Sequence, residues 1–231
     1  ISRQFPKIDV LVNNAGVMGM VGKVTTSRGL EIHLAVNYLG HFYLTHLLLR
    51  LLKLSDRPRI CNLSSMAYSK IVHNRRKVVL DLDNINWQNP LLPYDDDMAY
   101  SRSKLAIVLS TLQLAEKLKE QYPSFRVASV HPGAVRTSLS RSHRLTHGIL
   151  NLVYIVLFPF YWLATKDASE GSQTSLHIIF EETAKLKSGG YYSDCECQPI
   201  ESESNTPETR EQLWRWTCNQ LGINEDFAKA H

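Results

Sequence analysis

Cysteine is scarce, and what there is forms no pattern. Cys61, Cys195, Cys197 and Cys218 are the only four. Their spacing matches no disulfide framework, and Cys195-x-Cys197 lacks the second pair that a zinc site requires. Reduced thiols in a cytosol-facing protein follow. Internal repeats and low-complexity tracts are missing too, which excludes solenoids and compositional scaffolds. Charge of one sign is also lacking: 26 basic against 22 acidic residues leave only +4. The basic residues are scattered instead of interleaved with aromatics on one element, so no nucleic-acid footprint results. No His/Cys/Asp/Glu group has metal-ligand spacing, and no metal is expected. The amino end carries no signal peptide, and a start on Ile1 leads us to expect coding sequence upstream.

What remains is an ordinary globular composition, 44% hydrophobic and 21% charged over 231 residues. That is enough for one well-buried core, and a single domain over 1–231 is the expectation. The most informative stretch is 98–120. Its Ala, Leu, Lys and Glu residues favour helix. Leu105, Val108, Leu109, Leu112 and Ala115 recur at a spacing that predicts one buried stripe. Near its start Tyr100 and Lys104 stand four residues apart and share a face. A free phenol has a pKa near 10. An ammonium beside it favours the phenolate and makes tyrosine usable as a general acid or base.

Three short apolar runs read as buried parallel strands: 8–12, 59–63 and 125–130. The first delivers Asn13-Asn14-Ala15-Gly16, small residues that let a ligand approach the backbone just past a strand end. The second delivers Ser64-Ser65, which by themselves also suit a turn or helix cap. The third delivers His131-Pro132-Gly133-Ala134-Val135-Arg136-Thr137, a stop and a turn. Between the first two runs, 28–53 predicts a long helix, interrupted on its apolar side by Asn37 and Gly40. A buried asparagine must be hydrogen-bonded, so Asn37 caps a kink, satisfies local backbone or holds a water. Residues 66–97 read as irregular, with Asp95-Asp96-Asp97 a solvated cap on the central helix and not a metal site.

The carboxyl-terminal third begins with 141–166. Arg141, His143, Arg144 and His147 precede an uncharged run over 148–165 that includes Asn151 and Pro159. A core helix, a greasy substrate lid and a segment lying in a membrane interface all suit it. A helix over 169–185, a last strand at 190–192 and a final helix from Thr206-Pro207-Glu208 to Gly222 complete the chain. Strands alternating with helices predict an α/β fold with a parallel sheet and right-handed crossovers.

The order of these signals matters more than any one. Strand-Asn13-Asn14-Ala15-Gly16, Asn37, strand-Ser64-Ser65, Tyr100-x-x-x-Lys104 and strand-His131-Pro132-Gly133 resemble the short-chain dehydrogenase/reductase family. Thr174-Ser175-Leu176-His177, 188–195 and 213–218 resemble its retinol dehydrogenase branch. The resemblance implies a Rossmann-type doubly wound parallel sheet and an NADP cofactor, with NAD as the other choice. It implies a lipophilic substrate of retinol/retinal type, a membrane surface and a possible homodimer. It also implies an endoplasmic reticulum membrane location facing the cytosol, with a mitochondrial membrane or the cytoplasm as alternatives. Carried over, Tyr100 exchanges the proton at the substrate oxygen and Ser65 hydrogen-bonds that oxygen. Lys104 lowers the tyrosine's pKa and holds the nicotinamide ribose, and Asn37 keeps a relay water. Asn14, Ala15 and Gly16 border the cofactor, and Pro132, Gly133, Val135 and Thr137 close over its nicotinamide side.

One departure stands out. The family's Thr-Gly-x-x-x-Gly-x-Gly phosphate turn occurs nowhere in the sequence, and Gly16, Gly19 and Gly22 have the wrong spacing for it. The beginning of the chain matches the family's fourth strand. The expectation is an incomplete sheet lacking roughly three βα units of about 30 residues each. The alternative to an enzyme is therefore a non-catalytic binding or scaffold fragment.

Overall fold

The computed structural model describes residues 4–20, 22–71, 76–133, 135 and 166–228. Five strands form one sheet in the order β1 (Val10–Asn13), β2 (Arg59–Leu63), β3 (Arg126–His131), β4 (Tyr191–Ser193) and β5 (Glu196–Gln198). The first four run parallel, with Leu11 opposite Ile60, Ile60 opposite Val127 and Ser129 opposite Tyr191. The fifth is antiparallel to β4 and was not anticipated from sequence. Asp194 and Cys195, at φ 50° and 64°, make the tight turn between them, the backbone that a two-residue hairpin needs.

Among the described residues, four α-helices surround the sheet: α1 (Gly40–Leu52), α2 (Asp96–Leu118), α3 (Ala168–Phe180) and α4 (Pro207–Leu221). Side chains alternate along each strand, and the core divides accordingly. Leu11, Ile60, Val127 and Tyr191 pack with α1, α2 and α4, while Cys61, Leu63, Ala128, Val130 and Tyr192 pack with Ile178 of α3. Helices thus cover both sheet faces, and the doubly wound expectation holds.

Two helical expectations need correction. The helix anticipated over 28–53 begins only after Glu31, and its first stretch, Leu34–Leu39, is π-helical before α1 continues. A wide turn of this kind admits one extra residue per turn and often marks a site. The single buried stripe expected for α2 is also wrong. Ser101, Ser103, Ser110, Thr111 and Gln113 are buried along with most of its leucines, because the helix is enclosed by the sheet, the π-helical stretch and α4. Two of its buried hydroxyls find partners inside: Ser110 Oγ donates to the Ile107 carbonyl at 3.1 Å, and Asn62 Nδ2 donates to Thr111 Oγ1 at 2.9 Å.

The ends of the helices follow local rules. Asp95 caps α2, accepting from the Met98 amide at 2.9 Å, and Asp167 caps α3 in a reciprocal box with Glu170. Thr206 caps α4, Pro207 occupies its first turn, and Gly222 ends it in the left-handed conformation, as read from sequence. Trp214 fixes α4, stacking on Phe227 at 5.1 Å and meeting Phe42 of α1 edge-on at 4.9 Å. Among the described residues no helix is long and apolar enough to cross a membrane. The run over 148–165 lies outside the described residues, as does all of 141–166 except Lys166.

Candidate active site

In a parallel sheet the carboxyl ends of all strands open on one edge. Here β1 runs into Asn14 and Ala15, both exposed, and then into Gly16. A Cβ on Gly16 would lie 3.2 Å from Asn37 Oδ1 and 3.8 Å from Lys104 Nζ. The loop after β1, the π-helical stretch and α2 therefore meet at one point.

Asn37 is fully buried there. Its Oδ1 accepts from the Val17 amide at 2.8 Å, and its Nδ2 donates to the Val17 carbonyl at 3.1 Å and to Ser103 Oγ at 3.1 Å. Of the sequence-based options, pinning backbone is the role this geometry displays. Ser103 had no motif to announce it, since its contact joins residues far apart in the chain.

Ser64 and Ser65 follow β2 and act differently. Ser64 Oγ donates to the Lys104 carbonyl at 3.0 Å, tying the strand end to α2. Ser65 is half-buried, accepts from the Ala67 amide at 3.2 Å and is near enough to the Tyr100 phenol to favour its ionised form. The cap reading of Ser65 is thus what the geometry displays.

Tyr100 and Lys104 project into this corner from α2. Lys104 is 5% exposed, its Nζ donates to the Leu63 carbonyl at 2.9 Å, and it stands 5.7 Å from the Tyr100 ring centroid. Burial lowers the lysine's pKa to about 8. Burial also raises the phenol above its ordinary value, against the opposing influence of Ser65. Lys104 is not among the groups that shift the phenol in this geometry. The ammonium is directed at a carbonyl instead of the phenol oxygen, and desolvation dominates both groups.

The end of β3 supplies the other wall. Gly133 has φ +86°, and a Cβ on it would meet the Lys166 side chain at 2.8 Å, so only glycine suits this position. Val135 pairs with Lys166 in a parallel bridge and packs against Gly171. Lys166 in turn forms an ion pair with Asp194 at 2.5 Å. Pro132, Gly133 and Val135 thus sit at the open sheet edge, while Thr137 lies outside the described residues. Against Tyr100 the His33 ring packs edge-on at 5.9 Å, a neighbour that no sequence motif indicated. No group able to hold a metal ion occurs among the described residues.

A buried tyrosine with a serine beside its phenol, a lysine one turn away and a small-residue loop alongside can exchange a proton with an oxygen placed between the two hydroxyls. The family model described as short chain dehydrogenase matches residues 1–75. Human retinol dehydrogenase 12 is 40% identical over 217 residues, 94% of this chain and 62% of its own length. The chain resembles the short-chain dehydrogenase/reductase family. It is also similar to mouse retinol dehydrogenase 13, at 36% identity over 100% of this chain and 64% of that protein. The chain thus spans somewhat less than two thirds of the length of these curated relatives. Among solved structures, a short-chain dehydrogenase-like fold is shared with a putative uncharacterized protein from Mycobacterium paratuberculosis. The TM-score is 0.68 and the identity 26%, over 96% of this chain and 70% of that one.

Proposed function

We propose that this protein is an NADP-dependent oxidoreductase that moves a hydride between the nicotinamide and a lipophilic alcohol or carbonyl of retinol/retinal type. The observation that carries the reading is the meeting of Asn37 and Lys104 at Gly16 on the carboxyl edge of the sheet, with Tyr100 one helical turn before Lys104 and Ser65 just beyond the end of β2. Tyr100 gives the proton to the carbonyl oxygen in reduction and takes it back in oxidation. A phenol held in its neutral form by burial suits the donor role. Ser65 hydrogen-bonds the same oxygen, where negative charge grows as the hydride moves. Lys104, easily deprotonated for a lysine, stands next in line to return the proton and to hold the nicotinamide ribose. Asn37 fixes the loop that borders the cofactor.

The fit to a nicotinamide group rests on two positions where a side chain would fill the space, Gly16 and Gly133. Asn14, Ala15 and Gly16 would border the ribose, and Pro132, Gly133, Val135 and Thr137 the nicotinamide. The cofactor supplies or accepts the hydride; the residues of this chain hold it and handle the proton. Preference for NADP over NAD, and for a retinoid over other greasy carbonyls, follows the family resemblance and the similarity to retinol dehydrogenases. The apolar run over 148–165, preceded by basic residues, supports a lipophilic substrate and a membrane surface. A homodimer and an endoplasmic reticulum location belong to the same reading.

The test is a steady-state comparison in the full-length protein. NADPH and NADH are each paired with all-trans-retinal and with a small hydrophilic aldehyde. The reading expects the highest kcat/KM for NADPH with retinal. Equal or better turnover of the hydrophilic aldehyde would overturn the substrate class, and failure to bind either nucleotide would overturn the enzyme reading.

A further inference from the structure

The reaction just proposed makes no use of a charged cluster beside the Tyr100 ring. Glu31 is 1% exposed and His33 fully buried. Both lie where the chain enters the helix that becomes α1, while Tyr94 and Asp96 stand at the start of α2. Glu31 Oε1 accepts from the His33 backbone amide at 3.1 Å and from the Tyr94 hydroxyl at 2.9 Å, and it faces His33 Nδ1 at 2.8 Å. Its Oε2 accepts from the Leu34 amide at 2.8 Å. Burial works against its charge, but these hydrogen bonds prevail and hold the carboxyl below its ordinary pKa. With Glu31 a carboxylate, Nδ1 must be the protonated nitrogen of the ring, an assignment made from the hydrogen-bond network.

The other ring nitrogen then has a problem. His33 Nε2 faces Asp96 Oδ1 at 3.8 Å, and neither atom has another hydrogen-bond partner. Two lone pairs facing each other inside a protein are costly, so one proton belongs between them, on the imidazole or on the carboxyl. The groups around this pair are Glu31 before α1, Tyr94 before α2, and Asp97 and Tyr100 on α2. Burial raises Asp96 above its ordinary carboxylate range, with His33 opposing and Asp97 and Glu31 adding to the rise. The imidazole held in this way meets the Tyr100 ring at an interplanar angle of 79°, an edge-to-face contact.

We propose that His33 is a positioning residue for Tyr100: Glu31 holds the proton on its Nδ1, and Nε2 shares a second proton with Asp96, which together keep the imidazole edge-on against the phenol ring. The proposal rests on the reading of Tyr100 as the proton donor. Loss of the shared proton at high pH opposes the two lone pairs. The imidazole or Asp96 then turns away, and the phenol loses its backing.

Two measurements on the full chain separate the parts. The first is ¹⁵N NMR of the histidines, with the His33 signal assigned through His33→Gln. In the wild type Nε2 is expected at a position moved off the bare lone-pair value by a proton it carries or accepts from Asp96, and at the bare lone-pair position in Asp96→Ala. A bare Nε2 in the wild type overturns the shared proton, with or without turnover. The second is the pH profile of retinal reduction. His33→Gln keeps a donor toward Glu31 but removes the ring. It is expected to lower kcat about tenfold with little change in KM for NADPH, the pattern of a misplaced catalytic group. Asp96→Asn brings its own N–H to Nε2 and is expected to move the alkaline limb of kcat upward, leaving only the ionisation of Tyr100. Should His33→Gln fail to fold, Asp96→Asn carries the test. An unchanged kcat in His33→Gln, or an unchanged limb in Asp96→Asn, overturns the positioning role. A wild type with Nε2 moved off the bare lone-pair value and no turnover of any carbonyl overturns the oxidoreductase reading and, with it, the role of His33, while the shared proton stands.

Discussion

Gly16 and Asn37 leave no room for a methyl group between them: a Cβ on Gly16 would lie 3.2 Å from the asparagine oxygen. That oxygen already holds the Val17 amide at 2.8 Å. The loop that borders the candidate site is therefore seated by a contact that depends on a missing side chain. Gly16→Ala is expected to cost about 1 kcal/mol, at the low end for overpacking. It should also raise KM for NADPH more than it lowers kcat. Urea unfolding and steady-state kinetics check the two parts separately.

Asn37 holds both polar groups of Val17. Asn37→Ala leaves the Val17 amide and carbonyl and Ser103 Oγ without this partner. Unsatisfied groups of this kind cost about 1–3 kcal/mol. A lower urea midpoint at unchanged slope is the expected result, and a midpoint within error of the wild type would contradict it.

Lys104 ties stability to pH in a direction that can be worked out. Burial lowers its pKa from the usual 10.5 to about 8. Below pH 8 the folded chain must charge a buried amine that the unfolded chain charges freely, which opposes folding. Between 8 and 10.5 the unfolded chain binds more protons, so stability rises with pH and the penalty is gone above 10.5. A depression of this size corresponds to roughly 3 kcal/mol, offset in part by the hydrogen bond to Leu63. Lys104→Met is therefore expected to be at least as stable as the wild type at pH 7, to lose that advantage by pH 10.5, and to be nearly inactive. Thermal melts across pH 6–11 check the sign.

Much of this was legible in the sequence. β1, β2 and β3 could be read because buried parallel strands are short apolar runs ended by small or turn-forming residues. Tyr100 and Lys104 could be placed on one face because helical spacing alone decides it. What could not be read depends on contacts between distant segments. The strand Glu196–Gln198 is short, polar and largely exposed, so it carries no alternating pattern. The all-round burial of α2 depends on α4 and the sheet, and Ser110 and Thr111, which looked solvent-facing, find partners inside. The sign of the Tyr100 shift follows from desolvation, which no spacing reveals. Glu31, His33 and Asp96 come together only after folding.

Trp214 bears most of the packing between α4, α2 and α1. It is 1% exposed, and its Nε1 donates to the Glu225 carbonyl at 2.8 Å. Trp214→Ala is expected to cost about 3–5 kcal/mol. Because the ring lies away from the sheet edge, Trp214→Phe should recover most of the stability and leave KM for NADPH unchanged. Calorimetry and kinetics on the pair check this.

The central claim is that Tyr100 delivers the proton. Its most direct test is NADPH oxidation with all-trans-retinal by the full-length protein, wild type beside Tyr100→Phe, with NADPH binding followed by fluorescence in both. Removal of a general acid predicts a loss of about a hundredfold or more in kcat, with NADPH bound nearly as tightly as before. Turnover by Tyr100→Phe within a few-fold of the wild type would contradict the mechanism.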